Sequence, residues 1–180
     1  MRKIVRTIDA ISEWTGKTGR WLGVMLMLLV TYEVIMRYVF TKPSLWGYEM
    51  SVILAASLYV LAFSYAHLHG AHVRVDMIYS HLPNRGKATI DVLGGLFLFL
   101  PFIILLTINA WDWMFVSWAT NEKMPITGWY PPAGPLRTVV FYGLALFALQ
   151  GIAQFIRDLY KLVTNKSYEP VATIDKEQAI

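Results

Sequence analysis

Three histidines fall within six positions of the stretch HLHGAHVRVD, at His67, His69 and His72, and Arg74 and Asp76 follow at once. Imidazole is a metal ligand, a haem ligand and a proton carrier near neutral pH, so this is the first place to look for chemistry. A metal centre needs three or four converging donors. In an extended segment His67 and His69 project to one side and His72 to the other. Apart from Asp76, no carboxylate stands close by to complete a set. The chain has no cysteine, which removes Fe–S clusters and thiolate-bound metals. A haem gripped between spans needs histidine in the middle of apolar segments, yet all four histidines, His81 included, lie in one connection. No nucleophile–base pair, phosphate-binding loop or pair of acids in a cleft is present, so neither catalysis nor a bound cofactor is expected.

A second group of polar residues sits inside or beside apolar stretches. Glu33 and Arg37 are four apart with Glu on the N-terminal side, the favourable order for a helical ion pair. Glu49 follows across a short loop, so Arg37 is expected to bridge both carboxylates. An ionisable group within a span is a functional hypothesis by default, and an ion or substrate path is one reading. A polar clamp fixing one helix to the next or to another subunit is the stronger one. A lone triad near one interface makes a poor path through a core about 30 Å thick. Farther along, Gln150 and Gln154 are spaced to hydrogen-bond between helices, and Asn109 lies near the end of another apolar run.

The elements that must position these residues are membrane spans. The chain has 180 residues, of which 56% are hydrophobic and 16% charged, with a mean hydropathy of +0.46; soluble domains carry about 25% charged residues. About 20 apolar residues cross a bilayer, and four segments qualify: 21–40, 47–66, 91–111 and 136–155. The fold class is therefore an all-α membrane protein of four transmembrane helices. It forms one domain over residues 1–165, followed by a polar tail at 166–180. Pro101 lies inside the third span and predicts a kink. The first apolar run is too long for a signal peptide and no small-residue cleavage site follows it. Ahead of it, Ile4, Ile8, Ile11 and Trp14 recur at helical spacing among charges. An amphipathic interfacial helix fits that pattern, as does a cytosolic extension of the span. A short interfacial helix ending near Pro83 is expected from Val75, Ile78 and Leu82.

Basic residues orient the spans. Arg2, Lys3, Arg6, Lys17 and Arg20 precede the first span. Arg74, Arg85 and Lys87 fall in the second connection, and Arg157, Lys161, Lys166 and Lys176 follow the fourth. Lys42, Lys123 and Arg137 stand on the opposite face, and Arg37 lies within the first span. Both termini and the histidine stretch are thus expected in the cytoplasm. The connection at 112–135, rich in Trp, Pro and Gly, reads as a structured outer loop pressed on lipid or a partner. No inverted repeat or broken helix pair marks a midplane transport site.

With these spans in place, Gly70-Ala71-His72-Val73-Arg74-Val75-Asp76 resembles the signature loop of the small, DctQ-like membrane subunit of TRAP (tripartite ATP-independent periplasmic) transporters. Trp46 and Glu49 opening the second span, Arg37 ending the first, and Leu82-Pro83-Asn84-Arg85 agree in position, and the likeness covers about residues 20 to 160. The resemblance implies a non-catalytic permease subunit of a sodium-coupled importer of organic acids in a bacterial or archaeal inner membrane. It would scaffold a large membrane subunit that carries the transport and sodium sites, and would help dock a periplasmic substrate-binding protein. Phospholipids are implied as neighbours and nucleic acid is not. No substrate site is carried over to this chain. The residues singled out for structure or subunit contact are Glu33, Arg37, Trp46, Glu49, Gly70, His72, Arg74 and Asp76. Gly70 would permit a sharp exit from the second span, with Arg74 and Asp76 pairing across the loop. A membrane anchor of a redox complex binding haem or quinone, and an independent small channel or exporter, are the competing classes.

Overall fold

A computed structural model describes residues 2–70 and 84–164. Five α-helices make up the fold: α1 (Arg2–Tyr38), α2 (Gly47–Leu68), α3 (Asn84–Gly94), α4 (Leu100–Ala119) and α5 (Gly134–Thr164). A π turn, Gly95–Phe99, welds α3 to α4, so the third crossing is one continuous body over Thr89–Ala119. Four helices are long and apolar enough to cross a membrane, as the hydropathy pattern predicts. An even number of crossings leaves both termini on one side, called here the terminal side. Residues 39–46 and 120–133 lie on the other, the loop side.

Each helix end has a local cause. After Tyr38 the chain reverses with Thr41 at φ 51°, and the Lys42 N–H returns to the Met36 carbonyl at 2.9 Å, a left-handed helix cap. Pro43 prevents any continuation. Ser44 then accepts the Gly47 N–H at 3.1 Å, satisfying one orphan donor of α2. In the third crossing Pro101 lacks an N–H and its ring crowds the carbonyl four residues back. The backbone answers by widening one turn, and Leu100 N–H bonds to the Gly95 carbonyl in the i→i−5 register. The kink expected at Pro101 is therefore a π turn placed just before it.

The helices pack as a row rather than a closed ring. α1 lies on α2, α2 on α5 and α5 on α4, while α1 and α5 also meet near the terminal side. The interior is small or polar: Ile103, Gln150, Glu49, Asp9, Ser12, Ser64 and Ser117 are the largest wholly buried side chains. The exterior is apolar, with Met27, Leu28, Leu98, Phe102 and Leu105 among many exposed. Water-soluble proteins show the reverse. In a bilayer, helices associate through close backbone approach and polar contacts because lipid is as apolar as leucine. Gly143 shows the approach directly: a Cβ there would stand 3.0 Å from the Val60 carbonyl carbon and oxygen.

Three boundaries differ from the sequence reading. The amphipathic N-terminal stretch is helical but is not a separate element; it forms the first turns of the same unbroken helix as the first span. At 37 residues that helix is about 55 Å long, well beyond the hydrocarbon core. Its polar side faces protein, since Asp9 and Ser12 are buried against α5, while Ile11 and Trp14 are exposed. On the loop side α4 runs on to Ala119, so the connection expected from residue 112 is irregular only from 120. Finally, His67 belongs to α2 and His69 caps it, so the two do not share one face as they would in an extended segment. The interfacial helix expected before Pro83 lies outside the described residues.

Gly143→Val should lower thermal stability in detergent by about 1–3 kcal/mol through overpacking against the α2 backbone. Gly94→Ala, where an added Cβ meets nothing within 4 Å, should be neutral or slightly stabilising. Equal melting temperatures for the two variants would contradict this packing.

Candidate functional site

Two polar knots tie the helices together, one at each side of the membrane. On the loop side Glu33 accepts a hydrogen bond from Arg37 at 3.2 Å and another, short one from the Ser44 hydroxyl. Ser44 is thus shared between the α1 carboxylate and the first turn of α2. Gly47 lies close above them: an added Cβ would stand 2.5 Å from Ser44 Oγ and 2.6 Å from Glu33 Oε2, so a larger residue would push these side chains aside. Trp46 stacks on Tyr32 with ring centroids 6.0 Å apart, adding an aromatic clasp between the same two helices.

Glu49 does not join this group. It is wholly buried, and its Oε1 accepts the Thr127 N–H at 2.8 Å, reaching into the 120–133 loop instead of toward Arg37. The expected bridge of Arg37 to both carboxylates is therefore half made. Glu33 and Arg37 share a helix face at i,i+4, whereas Glu49 points from the first turn of α2 toward the loop. Its Oε2 has no hydrogen-bond partner among the described residues.

The same loop is held from its other end by a buried arginine. Arg137, in the first turns of α5, makes a two-pronged ion pair with Glu122. It also lies over the Trp113 ring, 4.1 Å from its centroid. Backbone pairing of Met124 with Pro131 and of Ala133 with Glu122, at 2.9 and 2.8 Å, closes the loop into a hairpin-like turn. Trp118 Nε1 donates to Thr138 at 2.8 Å across the loop's base. The structured outer loop expected from its Trp, Pro and Gly content is present in this sense: its ordering comes from carboxylates at both ends.

The knot on the terminal side is more deeply buried. Asp9 of α1 pairs with Arg157 of α5 and also accepts from the Gln150 amide at 3.1 Å, and Gln150 accepts the Ser12 hydroxyl at 2.9 Å. All four side chains are almost wholly buried. Gln150 therefore bonds between helices as its position suggests, but Gln154 stays on its own helix, taking Arg157 Nη1 and donating to Asp158, both at 3.1 Å. Among the described residues Asn109 likewise bonds within its own helix, to the Leu105 carbonyl at 2.7 Å.

The histidines mark the edge of this region. His67 stacks flat on Phe99 at 5.1 Å and meets Phe147 edge-on at 5.4 Å. His69 contacts the Tyr65 carbonyl at 3.0 Å through Nδ1 and Glu13 at 3.4 Å through Nε2. They diverge, and among the described residues no three His, Asp or Glu side chains converge on a metal position. Gly70 follows at φ 63°, a left-handed residue leaving α2 as the sharp exit requires. His72, Arg74 and Asp76 lie outside the described residues.

This arrangement binds helices to one another and does not surround a substrate. Residues 26–161 match the DctQ component family of tripartite ATP-independent periplasmic transporters. The chain belongs to that family. It is 30% identical over 173 residues to the ectoine TRAP transporter small permease protein TeaB of Halomonas elongata, covering 96% of this chain and 86% of the relative. It is also 30% identical over 123 residues to the C4-dicarboxylate TRAP transporter small permease protein DctQ of Vibrio cholerae, covering 66% of this chain and 51% of that relative. The protein is a small permease subunit of a TRAP transporter, a multi-pass membrane protein from a family of transporter components rather than enzymes.

Within the small permease subunit the family match spans the whole loop-side knot and the α5 half of the other. Asp9 and Ser12 lie before it. Sequence reasoning passed over both buried ion pairs. Arg157 and Arg137 entered it only as counters of charge on the two faces. The signal was present for the first: Gln150, Gln154 and Arg157 recur at helical spacing at the end of an apolar helix, a polar stripe that demands partners. Arg137 at the start of an apolar span posed the same demand, though nothing in the sequence singles out Glu122 to meet it.

Breaking one half of the Asp9–Arg157 pair strands a buried charge, so Arg157→Ala should cost about 3–5 kcal/mol. Replacing both with apolar residues (Asp9→Leu with Arg157→Met) should recover most of that loss, as read by melting in detergent. Arg137→Lys removes the two-pronged geometry and should speed limited proteolysis within 120–133 while leaving the helical circular dichroism unchanged.

Proposed function

We propose that this subunit works as a rigid scaffold in a sodium-coupled, binding-protein-dependent importer of an organic acid. It holds a large membrane subunit in the bilayer and offers its outer loop to a periplasmic substrate-binding protein. The observation that carries this reading is the division of polar groups. Both knots sit toward the ends of the helices, and no Asp, Glu, Lys, Arg or His occurs in residues 21–32, 50–66, 92–111 or 138–156. A middle layer of that kind suits helix packing and leaves ion and substrate passage to another chain. Relatives named for ectoine and for C4-dicarboxylate transport support a small organic solute as the cargo.

Orientation follows from the basic residues: termini in the cytoplasm of a bacterial or archaeal cell, residues 39–46 and 120–133 in the periplasm. His72, Arg74 and Asp76 then lie on the cytoplasmic side, where they fix the connection by hydrogen bonds and charge pairing and meet the large subunit or lipid headgroups. The haem- or quinone-binding anchor gives way to the family match.

The decisive measurement is co-purification with the large subunit, together with solute uptake in cells. Alanine at Arg74 or Asp76 should lower both severalfold, and unchanged assembly with unchanged uptake would sink the role given to that loop. Because the chain has no cysteine, single cysteines at Lys42 and Lys176 test the orientation. A membrane-impermeant thiol reagent applied to intact spheroplasts should label the first and not the second.

A further inference from the structure

Close contacts fix the heights of the helices against one another. A Cβ on Gly19 would stand 4.0 Å from Leu61, and one on Gly23 3.8 Å from Leu58, so Trp21 of α1 lies level with Val60 of α2. Val60 abuts Gly143 of α5, and Phe63 meets Phe147 with ring centroids 5.6 Å apart. Gly151 sits against Phe99, and Phe141 packs on Trp111 at 5.1 Å, which puts Ile108 of α4 level with Gly143. One plane square to the helix axes therefore passes through Trp21, Val60, Gly143 and Ile108.

That plane cuts the apolar runs 21–40, 47–66, 91–111 and 136–155 at four different heights. Trp21 is the terminal-side end of its run, whereas Val60, Gly143 and Ile108 lie 6, 12 and 17 residues inside theirs. The offset grows evenly along the row and totals about 25 Å. Charge repeats it. Arg20, beside Trp21, and Asp112, four residues past Ile108, are both exposed. A bilayer lying square to the helices would find only about 8 Å between those two levels, against a hydrocarbon core of about 30 Å. Tryptophan, which collects at both membrane surfaces, agrees: Trp21 is 59% exposed and Trp113 50%, and they too differ by only about 8 Å along the axes.

We infer that lipid meets this subunit along an oblique belt, with the four spanning helices inclined together by about 40° to the bilayer normal. Three interaxial steps make the row about 27 Å wide, and an offset of about 25 Å across that width sets the angle. Spans average about 20°. The terminal-side headgroup layer then meets α1 at Arg20 and Trp21 and the third crossing at Asp91. The loop-side layer meets α1 near Arg37 and α4 at Asp112 and Trp113. Each apolar run lies in hydrocarbon along its length, and Arg20 and Asp112 reach opposite surfaces. The inclination is set by this chain and lipid alone, whatever the scaffold role or the solute.

The test uses the full chain in vesicles of phosphatidylethanolamine and phosphatidylglycerol. Trp21→Cys, Val30→Cys, Phe102→Cys and Ile108→Cys place single thiols at exposed positions of a cysteine-free chain. A nitroxide on each reports depth through collisions with oxygen and with a water-soluble nickel chelate. The oblique belt puts positions 30 and 102 deeper than 21 and 108 by about 7–10 Å. A bilayer square to the helices reverses that order. Polarised infrared dichroism of the unsubstituted chain in the same vesicles should give a mean helix tilt above about 30°. Equal or reversed depths, or a mean tilt near the usual value for spans, would overturn the oblique belt.

Discussion

A bilayer core has no water with which to hydrogen-bond, and the architecture follows from that absence. A polar side chain carried into the packed region gains most where it meets a partner in the protein. Asp9, Ser12, Gln150 and Arg157 bond to one another across α1 and α5, between residues 138 to 148 positions apart in the chain. Such a pair is specific because its alternatives are poor: Arg157 facing lipid alone, or Asp9 buried alone, each strands a charge. The contact between the first and last helices is therefore selected by polar matching, while the apolar surfaces around it would accept many registers.

The loop side uses the same logic on an irregular segment. Between α4 and α5 the backbone leaves helical geometry, so its N–H and C=O groups need new partners. Glu49 supplies one from α2 and Glu122 binds Arg137 at the start of α5. Two carboxylates from different parts of the chain thus pin a stretch whose Trp, Pro and Gly content alone sets no single shape. Between the two polar levels Gly143 brings α5 against the Val60 backbone of α2, and Phe63 packs on Phe147 across the same pair of helices. The polar contacts between helices thus lie toward the two ends of the bundle, with small residues between them.

Much of this was legible in the residues themselves. Four apolar runs, the even count that brings the termini together, the Glu33–Arg37 pair and the glycine exit at Gly70 all rest on local or single-helix rules: hydropathy length, i,i+4 spacing and the freedom of glycine at positive φ. The GAHVRVD stretch pointed to the right family, although most of it lies outside the residues described. The kink at Pro101 was legible as a disturbance, but its form, a π turn over Gly95–Phe99 just upstream, was not.

Local rules end where a partner has to be chosen. Glu49 looked like a second acceptor for Arg37 because sequence distance put them close, yet the first turn of α2 aims it at Thr127. The N-terminal stretch read equally well as a helix lying on the membrane or as part of the first span, since the same periodicity serves either. The burial of Asp9 and Ser12 against α5 joined it to the span. By itself, then, the sequence determined that this chain crosses a membrane four times and what it is kin to, because crossing depends on transfer of contiguous apolar segments into lipid. Only the tertiary structure decided which buried charges meet, because ion pairing depends on the relative height and rotation of helices far apart in the chain.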